Sequence, residues 1–91
     1  TYNGVAILSR EPLREIVRNI TGFEDENSRV IAATLDTPHG EMRVVNGYFV
    51  NGQAPGSDKF AYKMSWLRGL HGYMRAELER HPRLVLVGDF N

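Results

Sequence analysis

The sequence predicts an α/β fold in which a mixed sheet carries one long covering helix. Three observations predict it. Two runs rich in β-branched and aromatic residues, 29–37 and 41–50, flank the turn-forming Pro38-His39-Gly40. Apolar residues then recur at three- and four-residue steps from Phe60 to Leu78. A second apolar run, 83–87, comes directly after Pro82.

Taken in order, "GVAILS" (4–9) has the short apolar pattern of a buried strand. Residues 10–22 hold Pro12, scattered charges and weak periodicity, which predicts an irregular connection with at most a short strand or turn. The acidic "EDEN" stretch reads as a solvated loop. Strands 29–37 and 41–50 form an antiparallel hairpin, and "NGQAPGS" (51–57) is a Gly/Pro/Asn loop. The helix is predicted over 58–81, capped by Ser57 or Asp58 and stopped by Pro82. Phe60, Met64, Leu67, Leu70, Met74 and Leu78 line its expected core face. Gly69 and Gly72 each cost it about 0.5–1 kcal/mol relative to alanine and are expected to mark close packing. "RLVLV" (83–87), apolar on both faces, is a strand buried between layers. There is no internal repeat.

Length and composition restrict what such a fold can be. Ninety-one residues make at most one small domain with a marginal core, here read as a single partial domain spanning 1–91. Eleven basic residues balance eleven acidic ones, so net charge decides nothing about a polyanionic partner. The absence of cysteine excludes disulfides and thiolate zinc sites and fits a reducing, cytoplasmic setting. No apolar stretch approaches the roughly 18 residues of a membrane span, so no membrane partner is expected. The chain opens on Thr1 and stops on Gly88-Asp89-Phe90-Asn91, directly after a strand. That predicts an internal piece of a longer protein.

The strand–helix–strand order carries the functional argument. Two strands joined by a helical crossover run parallel, and their C-terminal ends share one rim. Tyr48 would close the first, and Asp89 and Asn91 the second. Open α/β sheets bind ligands at that rim. Asp89 and Asn91 lie two apart, so an extended chain would point both to one side. A carboxylate, a carboxamide and a phenol together suit a water, a phosphate oxygen and a hard divalent cation. One carboxylate does not complete such a cation site.

"NGYFVNG" (46–52), the 59–67 stretch of the helix and "LVLVGDFN" (84–91) together resemble the exonuclease III/AP endonuclease family of the endonuclease/exonuclease/phosphatase superfamily. "YNGVAILSR" and "RVIAATLDT" fit the same order. The resemblance covers nearly the whole chain, and the chain covers the middle of such an enzyme. It implies part of a four-layer α/β sandwich and divalent-metal-dependent hydrolysis of DNA phosphodiester bonds, with Mg²⁺ or Mn²⁺ as cofactor. The expected substrate is double-stranded DNA with abasic sites or 3′ ends, handled in the cytoplasm at the nucleoid.

By this resemblance Asp89 orients and deprotonates the attacking water. Asn91 holds that water or a phosphate oxygen and supports the metal together with Asp89, and Tyr48 hydrogen-bonds the scissile phosphate. Asn51 matches a phosphate-contacting position in part of the family, and Tyr2 falls near a loop that touches the DNA backbone. Val50 stands where many relatives have proline. The family's metal-binding glutamate, its downstream aspartates and its "S-D-H" motif have no counterpart here; His39, His71 and His81 do not match that motif. The 91 residues alone are therefore expected to be inactive. They are also expected to self-associate through the uncovered sheet face or the sheet edges.

Each assignment has a plainer competitor. Asn51 equally suits turn chemistry, and Lys59 and Lys63 either steer phosphate or form a solvated face. Two functional alternatives stay open: a phosphodiesterase of the same superfamily acting on an inositol phosphate or lipid, and a non-catalytic binding or assembly module.

Overall fold

The computed structural model describes residues 4–20, 28–52 and 55–91. Tyr2 and the whole "EDEN" stretch lie outside them. Among the described residues, four strands and one helix follow in the order β1 (Arg14–Arg18), β2 (Val30–Thr37), β3 (Gly40–Tyr48), α1 (Asp58–Arg80) and β4 (Leu84–Asp89). They build one mixed sheet in the order β1-β2-β3-β4.

Strands β2 and β3 pair antiparallel without a break, from Val30 opposite Gly47 to Thr37 opposite Gly40. Pro38 and His39 make the two-residue loop between them. Thr37 Oγ1 accepts from His39 N–H at 3.1 Å and donates to the Gly40 carbonyl at 2.7 Å. Gly40 comes next with a φ of 114°, a conformation that a side chain would resist. The expected crossover is present: β3 and β4 are parallel, in register from Arg43–Leu84 to Tyr48–Asp89.

Alternation along β3 decides which face meets the helix. Arg43, Val45 and Gly47 are buried on the helix side, and Val30, Ala32 and Thr34 of β2 lie opposite them on that same side. Val45, Val30, Ala32, Val50, Ile20, Trp66 and Leu70 form the buried cluster, with Phe49, Leu84 and Leu86 packed against it. On the other face Val85 and Val87 are 37% and 42% exposed, so the two-sided burial expected of β4 is found on one side only.

The expected N-terminal strand is corrected. Residues 4–9 are not a strand, and Leu8 is 95% exposed. The outer edge of β2 is taken instead by β1, inside the stretch expected to be largely irregular. That leaves no sheet partner there for the apolar run. β1 itself carries a bulge between Arg14 and Val17, with Glu15 at φ 51°.

The helix face also differs. Ser57 is the N-cap, its hydroxyl accepting from Phe60 N–H, and the helix ends at Arg80 with His81 as C-cap. The buried helical residues are Trp66, Leu70 and Glu77, a ridge at four- and seven-residue steps, while Met64 and Leu78 are 39% and 56% exposed. Trp66 has the largest apolar surface and meets Phe49 edge-on at 5.1 Å, which rotates the face toward it. Gly72 has open space where a Cβ would stand, so it marks no close packing.

The ridge includes Glu77 because β3 supplies its partner. Arg43 Nε donates to Glu77 Oε1 at 2.8 Å, and its Nη1 donates to Thr34 Oγ1 and to the Glu15 carbonyl at the β1 bulge. Tyr73 hydroxyl and Arg80 also donate to Glu77. Burial alone would raise the Glu77 carboxyl, but Arg43's hydrogen bond and charge, with Tyr73 and Arg80, outweigh it and hold the group below its ordinary range. The Tyr73 hydroxyl is pushed up by burial and by the neighbouring carboxylate.

Candidate active site

The site is a consequence of register. Tyr48 is the last residue of β3 and Asp89 the last of β4, and the parallel ladder makes them direct partners. Partnered residues point to the same side of a sheet, here the side away from α1. The ladder is closed just beyond them by Phe49 N–H donating to the Asp89 carbonyl at 2.8 Å. Tyr48 is half-buried and Asp89 exposed. Both line an open hollow of about 500 Å³ with Asn46, Gly47 and the backbone-rich segment Gly4-Val5-Ala6.

The paired glycines explain why the two strands approach so closely at this point. Gly88 faces Gly47 across the ladder with φ 137°. A Cβ on Gly88 would collide with the Gly47 carbonyl and lie 2.9 Å from Asn46 Oδ1. The glycine of "GDFN" is therefore a packing requirement one residue before the carboxylate.

Asn91 joins the site by a route other than extended alternation. Strand β4 stops at Asp89, and Asn91 adopts a left-handed conformation, φ 67°. Its backbone N–H donates to Asp89 Oδ1 at 2.9 Å, and its Nδ2 donates to the Phe49 carbonyl at 2.9 Å. The chain thus curls so that Asn91 holds the Asp89 carboxylate and staples it to the end of β3. Phe90 packs edge-on to Phe49 at 4.8 Å, which steadies the curl. Asn51 is exposed in the loop after β3, and Tyr2 falls outside the described residues.

Asn46 and Arg29 belong to this neighbourhood although sequence reasoning missed both. Asn46 Nδ2 donates to the Ala6 carbonyl at 2.8 Å, which holds residues 4–6 beside the hollow. The two-residue step from Asn46 to Tyr48 is the available signal, since it puts both on one strand face. Arg29 has no such signal: it lies just before β2, and its carbonyl meets the Tyr48 N–H of β3 only because the strands pair.

The donor set suits a hard cation in kind. Asp89 supplies a carboxylate and Asn91 a side-chain carbonyl, the oxygen ligands that magnesium and manganese prefer. It is incomplete in number: among the described residues no group of three His, Cys, Asp or Glu side chains could hold a metal ion.

The Endonuclease/Exonuclease/phosphatase family model matches residues 1–91. The chain belongs to this family. It is 33% identical over 92 residues to the exodeoxyribonuclease III of Haemophilus influenzae, covering 99% of the chain and 34% of that protein. Among solved structures it is similar to the 3′-5′ exonuclease NExo from Neisseria meningitidis, with 42% identity and a TM-score of 0.82. It is also similar to a 3′ phosphatase NExo from Neisseria bound to a product DNA hairpin, with 40% identity and a TM-score of 0.83. Each alignment covers 91% of the chain and 31% of the relative. The chain therefore spans about a third of the length of these relatives. Its sheet and helix are those of an exonuclease III-type fold.

Proposed function

We propose that the protein is a DNA-repair phosphodiesterase of the exodeoxyribonuclease III and abasic-site endonuclease type, acting on duplex DNA at 3′ ends or abasic sites. The observation that carries this reading is the register pairing of Tyr48 with Asp89 at an open rim. The exodeoxyribonuclease III relative and the DNA-bound neighbour support DNA as the substrate.

Hydrolysis here is in-line attack of water on phosphorus, with cleavage to a free 3′ hydroxyl. The Asp89 carboxylate accepts the proton of the attacking water. The Asn91 carboxamide, held beside it, orients that water or a non-bridging phosphate oxygen. The Tyr48 hydroxyl donates to a non-bridging oxygen as negative charge builds there. Asp89 and Asn91 would contribute ligands for Mg²⁺ or Mn²⁺. The cation, when bound, neutralises phosphate charge and lowers the pKa of a bound water. Its other ligands, and the donor that protonates the leaving oxygen, come from water, substrate and other parts of the protein. Residues 1–91 alone are accordingly inactive.

The same attack serves a 3′-phosphate, a second reading favoured by 40% identity to the 3′ phosphatase. The test is cleavage of three duplexes by the intact protein with Mg²⁺ or Mn²⁺: one with an abasic site, one with a recessed 3′ end and one with a 3′-phosphate. At least one should be processed, and Asp89→Ala should abolish that activity. Full activity in Asp89→Ala would refute the assignment. Turnover of inositol phosphates or phospholipid headgroups with none of the three DNAs would replace it.

A further inference from the structure

We infer that Arg29 is a positioning residue for Tyr48, holding and polarising the phenol; the inference rests on the phosphodiesterase reading above. Three separate contacts join the two residues. The Arg29 carbonyl accepts from Tyr48 N–H at 2.7 Å. Arg29 Nη1 donates to the Tyr48 carbonyl at 3.2 Å. The guanidinium carbon lies 5.2 Å from the centroid of the Tyr48 ring. Backbone and ring of one residue are thus gripped by one side chain and its own peptide group.

Arg29 is itself anchored. Its backbone N–H donates to Asn19 Oδ1 at 3.3 Å, and Asn19 N–H donates to the Val30 carbonyl at 2.6 Å. Asn19 makes this bracket from a left-handed conformation, φ 66°. The hold falls at the last residue of β3, beyond which a single backbone bond, Phe49 N–H to the Asp89 carbonyl, continues the pairing.

The chemistry fits arginine specifically. A planar guanidinium can lie over an aromatic face and still donate in its own plane, whereas a lysine ammonium is a point charge that does one or the other. Positive charge over the π face draws electron density from the ring and strengthens the hydroxyl as a donor. A fixed ring also keeps that hydroxyl on the Asp89 rim, where a small misplacement lowers the rate steeply. The expected signature is an effect on turnover that passes through Tyr48 alone.

The experiment uses the intact protein, the DNA duplex it cleaves best and saturating Mg²⁺. Arg29→Met should lower kcat about ten- to thirty-fold, as expected from losing a cation–π contact and a charged hydrogen bond, with KM nearly unchanged. Arg29→Lys should fall between it and wild type. In a Tyr48→Phe background, Arg29→Met should have no further effect. A raised KM at unchanged kcat, or effects of the two substitutions that multiply, would overturn the inference.

A readout independent of catalysis is the Tyr48 ring signal in ring-¹³C-tyrosine protein, assigned with Tyr48→Phe. It should shift in Arg29→Met and partly return in Arg29→Lys. An unmoved ring signal would overturn the inference whatever the enzyme cleaves. A shifted signal in a protein that cleaves none of the DNAs would uphold the clamp and sink the phosphodiesterase reading instead.

Discussion

Arg43 of β3 and Glu77 of α1 form an ion pair at 2.8 Å in which the two side chains are 1% and 4% exposed. It is the charged joint between sheet and helix. Removing Arg43 takes from the buried Glu77 carboxylate its shortest hydrogen bond and its buried cationic partner, leaving Tyr73 and the largely exposed Arg80, and breaking a buried pair costs up to about 3–5 kcal/mol. Arg43→Met should therefore destabilise the intact protein by that amount in a urea melt. The double replacement Arg43→Met with Glu77→Leu should recover most of the loss, since an apolar pair of similar size is often neutral.

The same pair predicts how stability responds to acid. The folded-state pKa of Glu77 lies below its ordinary 4.5, so the unfolded chain binds the proton more readily. Its stabilisation is complete above about pH 4.5 and is lost as pH falls from there through the depressed folded value. Melting temperatures taken between about pH 6 and pH 3 should show a shallower acid limb in Glu77→Gln, at lower overall stability. An unchanged slope would assign the acid sensitivity to other carboxylates.

At the rim, Gly88→Ala tests the close approach of β3 and β4. The left-handed backbone and the collision with the Gly47 carbonyl both oppose a side chain. The variant should lose about 1–3 kcal/mol of stability and most of its activity, because Asp89 is the next residue. A protein with normal melting and normal turnover would show that the strands can part there without cost.

If Tyr48 acts as proposed, Tyr48→Phe removes one transition-state donor and leaves the ring and its packing. Loss of one such donor lowers kcat about 10²–10³-fold. Steady-state kinetics on the preferred DNA should show that fall with KM little changed.

The proposed mechanism also requires a divalent cation, which chelation tests. With EDTA the intact protein should lose cleavage, and added Mg²⁺ or Mn²⁺ should restore it. Asp89→Asn should bind the cation more weakly by isothermal titration, since it exchanges a carboxylate for a neutral amide.

Much of this molecule was legible in one dimension because its signals are local. Pro38-His39-Gly40 named the hairpin turn, Ser57 and Pro82 bounded the helix to within a residue, and the strand–helix–strand order implied the parallel pairing of Tyr48 with Asp89. Periodicity could say that the helix had an apolar side, but not where its centre lay. That was decided in three dimensions by Trp66 against Phe49 and by Arg43 reaching Glu77. Likewise the apolar run 4–9 carries strand propensity, yet it is β1 that takes the edge of β2. The curl of Asn91 onto Asp89 and the reach of Arg29 to Tyr48 also depend on neighbours distant in the chain. Chain order sets turns, caps and handedness because these arise within a few residues; which faces meet, and which polar groups find partners, is settled only when remote segments compete for the same space.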